Sequence, residues 1–388
     1  MAAPIQIKVY DKTFAAKGEI GAPKFVTVNL RDISVGFGKA TIGVLATDRM
    51  IEPLMADGAR VWIRRPDGSD SQAHILSGYV TARRATGTTQ QALYEFDVTD
   101  DASFLDEVSG WVIPANAITN QGAGNAVQWV LEDDAETVLK TAVTANAVTR
   151  LGMPITVATN QHRGSDVRGV LRYEPLWTKL FPVVDGCGMS AAGIGVSVRQ
   201  NGTSGLLLDV YERAVYPRPL TELGGVVTDW SWTQTAATAT RVVVGGPGEG
   251  YLRSLRTVVD YTREMEIGHV IERWRDARDV TEDQIPDLLY ARGQEILDDG
   301  ATKYGLSVTL AETPAFRYGT NVRVGDTVTV EVAGQQITDV LTEALLSWTR
   351  DAGWRVEPRV GEKSDDPDRL LGRYIAKLSR AVNRMQRV

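Results

Sequence analysis

Apolar and polar residues alternate through residues 1 to about 105. Ile5, Ile7 and Val9 are separated by polar positions, as are Val26, Val28 and Leu30, then Tyr94, Phe96 and Val98, while Val61 and Ile63 recur two apart around Trp62. A period of two buries one face of a strand and leaves the other wet. Gly36-Phe37-Gly38, Asp57-Gly58, Pro66-Asp67-Gly68 and Gly87 supply turns between these runs. Many short strands at this spacing predict a barrel or a sandwich.

The pattern changes at residues 113–124, a polar, turn-rich boundary loop. Asn125 is expected to cap a helix reaching about Ala145, with Val127, Leu131, Val138 and Ala142 near one face. Glu174-Pro175 opens a shorter helix carrying Leu176, Trp177, Leu180 and Phe181. The period of two then returns: Val196 and Val198, and Leu206, Leu208 and Val210, flank Asn201-Gly202, a hairpin signal. Residues 113–220 therefore read as a small α/β domain.

Tyr216-Pro-Arg-Pro219 marks the next boundary. Strands are expected at Asp229-Trp-Ser-Trp-Thr and Arg241-Val-Val-Val244. Further strands fall at Val322 and Val324, at Val328, Val330 and Val332, and at Ile337 and Val340. Gly325-Asp326 and Ala333-Gly334 supply turns, and Trp348, Trp354 and Val356 close this second β unit. Thr281-Glu-Asp-Gln284 can cap a helix running to Asp299, which reads as an insertion. The organisation is thus residues 1–112, a first β domain; 113–220, α/β; and 221–361, a second β domain with a helical insertion at about 260–303. A linker and an amphipathic helix occupy 362–388. In that helix Leu371, Ile375, Leu378, Val382 and Met385 recur at alternating spacings of four and three, a short heptad seam. Arg373, Lys377, Arg380, Arg384 and Arg387 lie mostly off it. The seam is a candidate oligomer or partner interface.

Composition narrows the function classes. The 388 residues carry 42 Lys and Arg against 49 Asp and Glu, a formal charge of −7. An acidic balance argues against a general nucleic-acid binder, which needs cationic surface to displace counterions. Cys187 is the one cysteine, so neither an internal disulfide nor a multi-cysteine zinc site can form. No run approaches the roughly 20 apolar residues of a membrane span. The N-terminal residues lack a signal pattern, so a soluble protein made in a cytoplasm is expected.

Candidate chemistry is thin. Gly186-Cys-Gly188-Met-Ser-Ala191 fits a dinucleotide glycine pattern, but alternating residues follow it where a helix is needed. Gly245-Gly-Pro-Gly-Glu-Gly250 lacks the Gly-Lys-Ser/Thr of a phosphate loop and reads as an exposed turn. His74, His162 and His269 have no histidine partner at ligand spacing, and Cys187 between glycines reads as a small packed residue. Asp100-Asp101, Asp133-Asp134 and Asp298-Asp299 read as solvated surface rather than paired catalytic carboxylates. Trp230 and Trp232 share one strand face and read as core or subunit interface, with sugar stacking as the other option. No catalytic, cofactor-binding or metal-ligating residue is assigned, and an enzyme is not expected.

Several segments carry a family resemblance. Arg241-Val-Val-Val-Gly-Gly-Pro-Gly-Glu-Gly-Tyr-Leu-Arg253 is followed by Ile271-Glu-Arg-Trp-Arg-Asp-Ala-Arg-Asp279, Tyr318-Gly319 and Val324-Gly-Asp-Thr-Val328. Met55-Ala-Asp-Gly-Ala-Arg-Val61 and Leu76-Ser-Gly78 precede them. In this order they resemble the central baseplate hub, or minor tail protein, of long-tailed actinobacterial siphophages, over residues of about 55–330.

The resemblance implies a tail-hub fold: α+β, mainly β, with two tail-tube-like β-barrel domains, an α/β domain between them, a helical insertion and a C-terminal helix. It implies a homotrimer forming a pseudo-sixfold ring in the virion tail tip, assembled in the host cytoplasm. The implied neighbours are a distal tail or tail-tube protein, the tape measure protein and a central fibre or other tip proteins, with phage DNA passing unbound. An acidic channel wall would suit that passage, because it offers phosphates no neutralising partner. No fused lysin or peptidase is expected after the second barrel. The competing functions are a glycan-binding adhesion module, using Trp230 and Trp232, and a cell-wall hydrolase.

Overall fold

The computed structural model describes residues 5–65, 74–88, 91–181, 189, 192–278, 285–300, 303–313, 315–332 and 335–360. Cys187, nearly all of the 186–191 glycine segment, and the seam of Leu371, Ile375, Leu378, Val382 and Met385 lie outside them. Contacts divide the chain into a large unit, Met1–Trp230 with Val308–Gly361, and a second unit, Ser231–Ser307 with Glu362–Val388.

The large unit begins with seven strands: β1 (Gln6–Tyr10), β2 (Ala16–Glu19), β3 (Phe25–Arg31), β4 (Lys39–Leu45), β5 (Arg60–Arg64), β6 (His74–Thr86) and β7 (Leu93–Asp100). They are antiparallel, in the order β3-β4-β7-β6-β5-β1-β2. The alternation read from sequence is the burial pattern. Val26 and Val28 of β3 and Phe96 and Val98 of β7 are sealed, while their neighbours are half-exposed; in β4, Ile42 and Val44 are sealed together with Gly43 between them. Gly78 of β6 has a specific reason to be glycine, because a Cβ there would collide with the Thr99 carbonyl across the ladder.

The α/β segment holds β8 (Trp129–Asp134), the helix α1 (Ala135–Val143), β9 (Ile155–Val157), β10 (Asp166–Leu171), the helix α2 (Leu176–Leu180), β11 (Ile194–Gln200) and β12 (Leu206–Glu212). A helix starting at Asn125 does not form. Residues Trp129–Asp134 pair with β10 instead, and the helix begins only where the Asp134 carboxylate accepts the Thr137 N–H at 2.8 Å. Val127, assigned to the buried helix face from sequence, is exposed. The hairpin at Asn201-Gly202 is present, with Gln200 opposite Leu206 and Gly202 at φ 56°. Val138, Leu139, Ala142 and Val143 of α1 pack with Leu176, Leu180, Leu208 and Val210, and with Phe104 and Leu105 just after β7, in one cluster. The α/β segment and the first strands therefore share a core.

Two strands follow, β13 (Leu220–Thr221) and β14 (Val227–Thr235). The second unit then contributes β15 (Arg241–Gly245), β16 (Leu255–Val259) and β17 (Glu272–Asp276), and the chain continues through β18 (Lys303–Leu310), β19 (Thr327–Val332), β20 (Gln335–Thr349) and β21 (Gly353–Val360). In the second unit β15 is central, antiparallel to β16 and parallel to β17. The helix α3 (Tyr261–Ile267) links the two edge strands, and α4 (Ile285–Asp299) packs Leu289 and Leu297 on Val242, Val244 and Val258.

The fold is mainly β with several sheets. The longest runs β14-β18-β21-β20-β3-β4-β7-β6-β5-β1-β2, with β19 on β20 and β13 on β19. Among the described residues no sheet closes into a barrel. The reason lies at β3. One of its edges is used by β4 and the other by β20, from Phe25 opposite Thr349 to Arg31 opposite Glu343. No edge of β3 is left to close the first strands on themselves, so two β regions from opposite ends of the chain form one sheet.

Candidate functional site

The continuous sheet has two unlike faces. Across the β3–β20 seam, Val26, Val28, Ala344, Leu346 and Trp348 are buried on one side. The intervening residues Thr27, Asn29, Arg31, Glu343, Leu345 and Ser347 form the other, mostly polar side, which β4, β7 and β21 extend with Lys39, Thr41, Glu95, Asp97, Glu357 and Arg359. Three arginines on this polar face are held by carboxylates. Arg31 pairs with Glu343 at 3.0 Å, Arg84 with Asp97 at 2.6 Å and Glu95 at 3.3 Å, and Arg355 with Glu357 at 3.2 Å. The Arg84 guanidinium holds the Asp97 carboxyl below its ordinary range. An arginine already held by a carboxylate offers a phosphate less than a free one does.

Two buried polar junctions tie the large unit together. Asp32, just after β3, accepts the Arg213 guanidinium at 2.8 and 3.0 Å, with both side chains almost sealed from water. Its backbone N–H donates to Thr342 of β20, while Asp326, ahead of β19, accepts the Ala214 N–H at 3.1 Å and the Arg323 N–H at 2.7 Å. In the second junction Arg60 pairs with Asp101, Ser77 donates to Asp101 at 2.7 Å, and the Gln200 N–H of β11 donates to Ser77 at 2.8 Å. Burial raises the Asp101 and Asp326 carboxyls above their ordinary range. Sequence reading took Asp100-Asp101 as solvated. Asp101 is instead sealed, and burial pushes the neighbouring Asp100 up to about 7.

A cavity of about 300 Å³ lies beside this second junction, lined in part by Arg65, His74, Asp100, Arg199, Tyr318 and Arg323. The Trp62 indole N–H donates to His74 Nδ1 at 3.0 Å, which leaves the ring proton of the neutral form on Nε2. Burial, with Arg199 and Arg64 nearby, lowers His74 to about 3. An imidazole so far below neutrality stays uncharged and is a weak general base.

Asp133, Asp134 and His162 bring one ligand atom each within 4.8 Å of the others. Asp134 Oδ1 takes the Thr137 N–H, and Oδ2 takes the Thr137 hydroxyl at 2.6 Å and faces His162 Nδ1 at 2.9 Å. Thr137 Oγ1 meets the same ring nitrogen at 3.3 Å. A nucleophile relay needs acid and hydroxyl on opposite ring nitrogens. Here both meet Nδ1, so the cluster works as a cap for α1.

Other sequence candidates are spread through the fold. Trp230 is partly exposed, and its indole N–H donates to Glu222. The Gly245–Gly250 motif forms the turn after β15, with Gly248 at φ 102°. Two features escaped the sequence reading. The Arg213–Asp32 pair joins residues far apart in the chain, and Trp274 stands exposed on the second unit. No local periodicity marks the first, and the second differs from a core tryptophan only by its charged neighbours, Arg273 and Arg275.

A family model described as Siphovirus ReqiPepy6 Gp37-like protein matches residues 6–362. No curated protein matches the chain by sequence. Among solved structures, the 43 kDa tail protein of prophage MuSo2 from Shewanella oneidensis is similar, at 13% identity and a TM-score of 0.53, covering 92% of this chain and 98% of that one. The tail protein from Neisseria meningitidis MC58 is similar at 12% identity and a TM-score of 0.50, over 92% and 97%. At such identities the likeness is one of fold.

Proposed function

The chain belongs to the siphovirus ReqiPepy6 Gp37-like family, and from that premise we propose that it is the hub of the tail tip. It is a structural protein of the siphovirus tail and baseplate type. In the proposed role three copies close into a ring, and the two β regions of each copy supply six similar wall segments. Such a ring joins a sixfold tail tube to a threefold tip or central fibre and lets DNA pass.

The observation that carries this reading is the β3–β20 seam. Seven residue pairs, Phe25 with Thr349 through Arg31 with Glu343, hold the two β regions edge to edge in one sheet. A protomer built this way offers two wall segments already in register. The closed barrels of the tail-hub fold belong to this proposal, completed by strands from neighbouring copies. The polar face, with Arg31, Arg84 and Arg355 each held by a carboxylate, suits a channel wall that DNA must slide along. The residues Leu371, Ile375, Leu378, Val382 and Met385 are proposed to dock on equivalent helices or on a fibre. A distal tail or tail-tube protein and the tape measure protein are the proposed neighbours.

The test is native mass at high protein concentration, with negative-stain averages of the same sample. A trimeric mass and a threefold ring with a central hole are expected. A compact dimer without a hole would overturn the hub reading.

A further inference from the structure

On the second unit one face of the small sheet is covered and the other is open. Val242 and Val244 of β15 lie under Leu289 and Leu297 of α4. Residues two apart on a strand share a face, so Val243 and Gly245 point to the open side. There they stand beside Trp274 and Asp276 of β17 and Thr257 and Leu255 of β16. Trp274 is 54% exposed, and the neighbouring Tyr251 and Leu252 are more so.

The Trp274 ring is held in place. Gly245 is its cradle, since a Cβ there would fall within the indole. The Arg253 guanidinium stacks on the ring at 5.0 Å from its centroid. That guanidinium is fixed in turn by the Gly246 carbonyl at 3.1 Å, the Gly245 carbonyl at 3.0 Å and Asp276 at 2.5 Å. Little conformational freedom is left for a ligand to remove.

Carboxylates bracket this ring. Glu272 and Asp276 sit two residues before and after Trp274 on the same strand, about 7 Å away on each side at the rise of a β-strand. Cores of protein–protein interfaces are depleted of charge, whereas this ring is rimmed by it. A flat apolar ring between hydrogen-bond acceptors matches a pyranose, which has one face of C–H groups and a rim of hydroxyls. We propose that the open face of β15, β16 and β17 is a saccharide-binding platform. In it Trp274 stacks on a neutral hexopyranoside unit, and Glu272 and Asp276 accept its hydroxyls. Arg253 and Arg278 both pair with Asp276, and Arg241 pairs with Glu264, so each of these cations already has a carboxylate and a uronic or phosphorylated sugar gains no free partner from them. This inference stands apart from the hub reading, because either a ring or a monomer can carry such a face.

The test is saturation-transfer NMR on the full chain with cellotriose and chitotriose, and with a trimer of galacturonic acid as the anionic counterpart. Binding of a neutral trisaccharide at roughly millimolar strength is expected, with transfer concentrated on one face of C–H protons. Trp274→Ala should weaken it at least about tenfold, and Glu272→Gln, which leaves the ring untouched, about threefold. Trp230→Ala should leave it unchanged. The proposal is overturned if neither neutral trisaccharide shows transfer at about 10 mM, if the anionic trimer binds better, or if Trp274→Ala binds as the parent does. It is equally overturned if Trp274→Ala changes the native mass and leaves sugar binding alone, which would make this face a subunit contact.

Discussion

Arg213 and Asp32 in the large unit, and Arg253 and Asp276 in the second unit, make the same chemical pair in opposite surroundings. The first is sealed, with side chains 8% and 2% exposed, and it joins the end of β12 to the end of β3. The second has its carboxylate 54% exposed, and its arginine stacks on an open indole. A buried pair is costly to break, because the surviving partner is stranded in a poor solvent. An exposed pair is screened by water and contributes little. The large unit thus uses charge to fix how its segments meet, and the second unit uses it to position a surface ring.

The sharpest way to break this comparison is Arg213→Ala. It should cost the large unit about 3–5 kcal/mol in urea unfolding. A loss under about 1 kcal/mol would mean the junction is wetter than it looks. Next comes Leu346→Ala, on the buried side of the β20 seam opposite Val28, with an expected loss of about 2–5 kcal/mol. A third test uses pH. The Asp100 carboxyl titrates near 7 in the fold and near 3.8 when free, because burial disfavours its charge. Between those values the folded chain binds a proton that the unfolded chain does not. The large unit should therefore gain thermal stability as pH falls from about 8 to about 5.5, and lose that gain as pH rises through about 7. Asp101 and Asp326 shift in the same direction. Asp100→Asn should flatten the profile, and an unchanged slope would sink the assignment. The smallest effect is expected at the exposed pair. Asp276→Asn should change stability by less than about 1 kcal/mol while loosening Trp274, seen as greater quenching of its fluorescence by acrylamide.

Much of this molecule was legible in the chain. Strand periodicity gave β3, β7, β12 and β19, because a half-buried strand writes its two faces into consecutive residues. Asn201-Gly202 gave the hairpin, and Glu174-Pro175 the start of α2, because turns and caps are also local. The start of α1 was misplaced, since Val127 and Leu131 fit a helical stripe about as well as a strand. Only pairing with β10 decided between them. Arg241-Val-Val-Val244 read correctly as a strand, but nothing in its alternation says that β16 and β17 are its neighbours.

For the candidate sites the division is sharper. Asp100-Asp101 looked like surface because two adjacent acids usually are, and only Arg60 and Ser77 arriving from other strands made Asp101 a buried junction. Composition, charge and the family resemblance bounded the function, and they needed no coordinates. Which edge pairs with which was decided in three dimensions. A strand's sequence specifies its faces through side chains, but its edges are backbone, and backbone N–H and C=O groups are the same at every residue. The seam of β3 with β20 and the stacking of Arg253 on Trp274 are therefore properties of the tertiary structure, whereas the two carboxylates that bracket Trp274 are written in consecutive residues of β17.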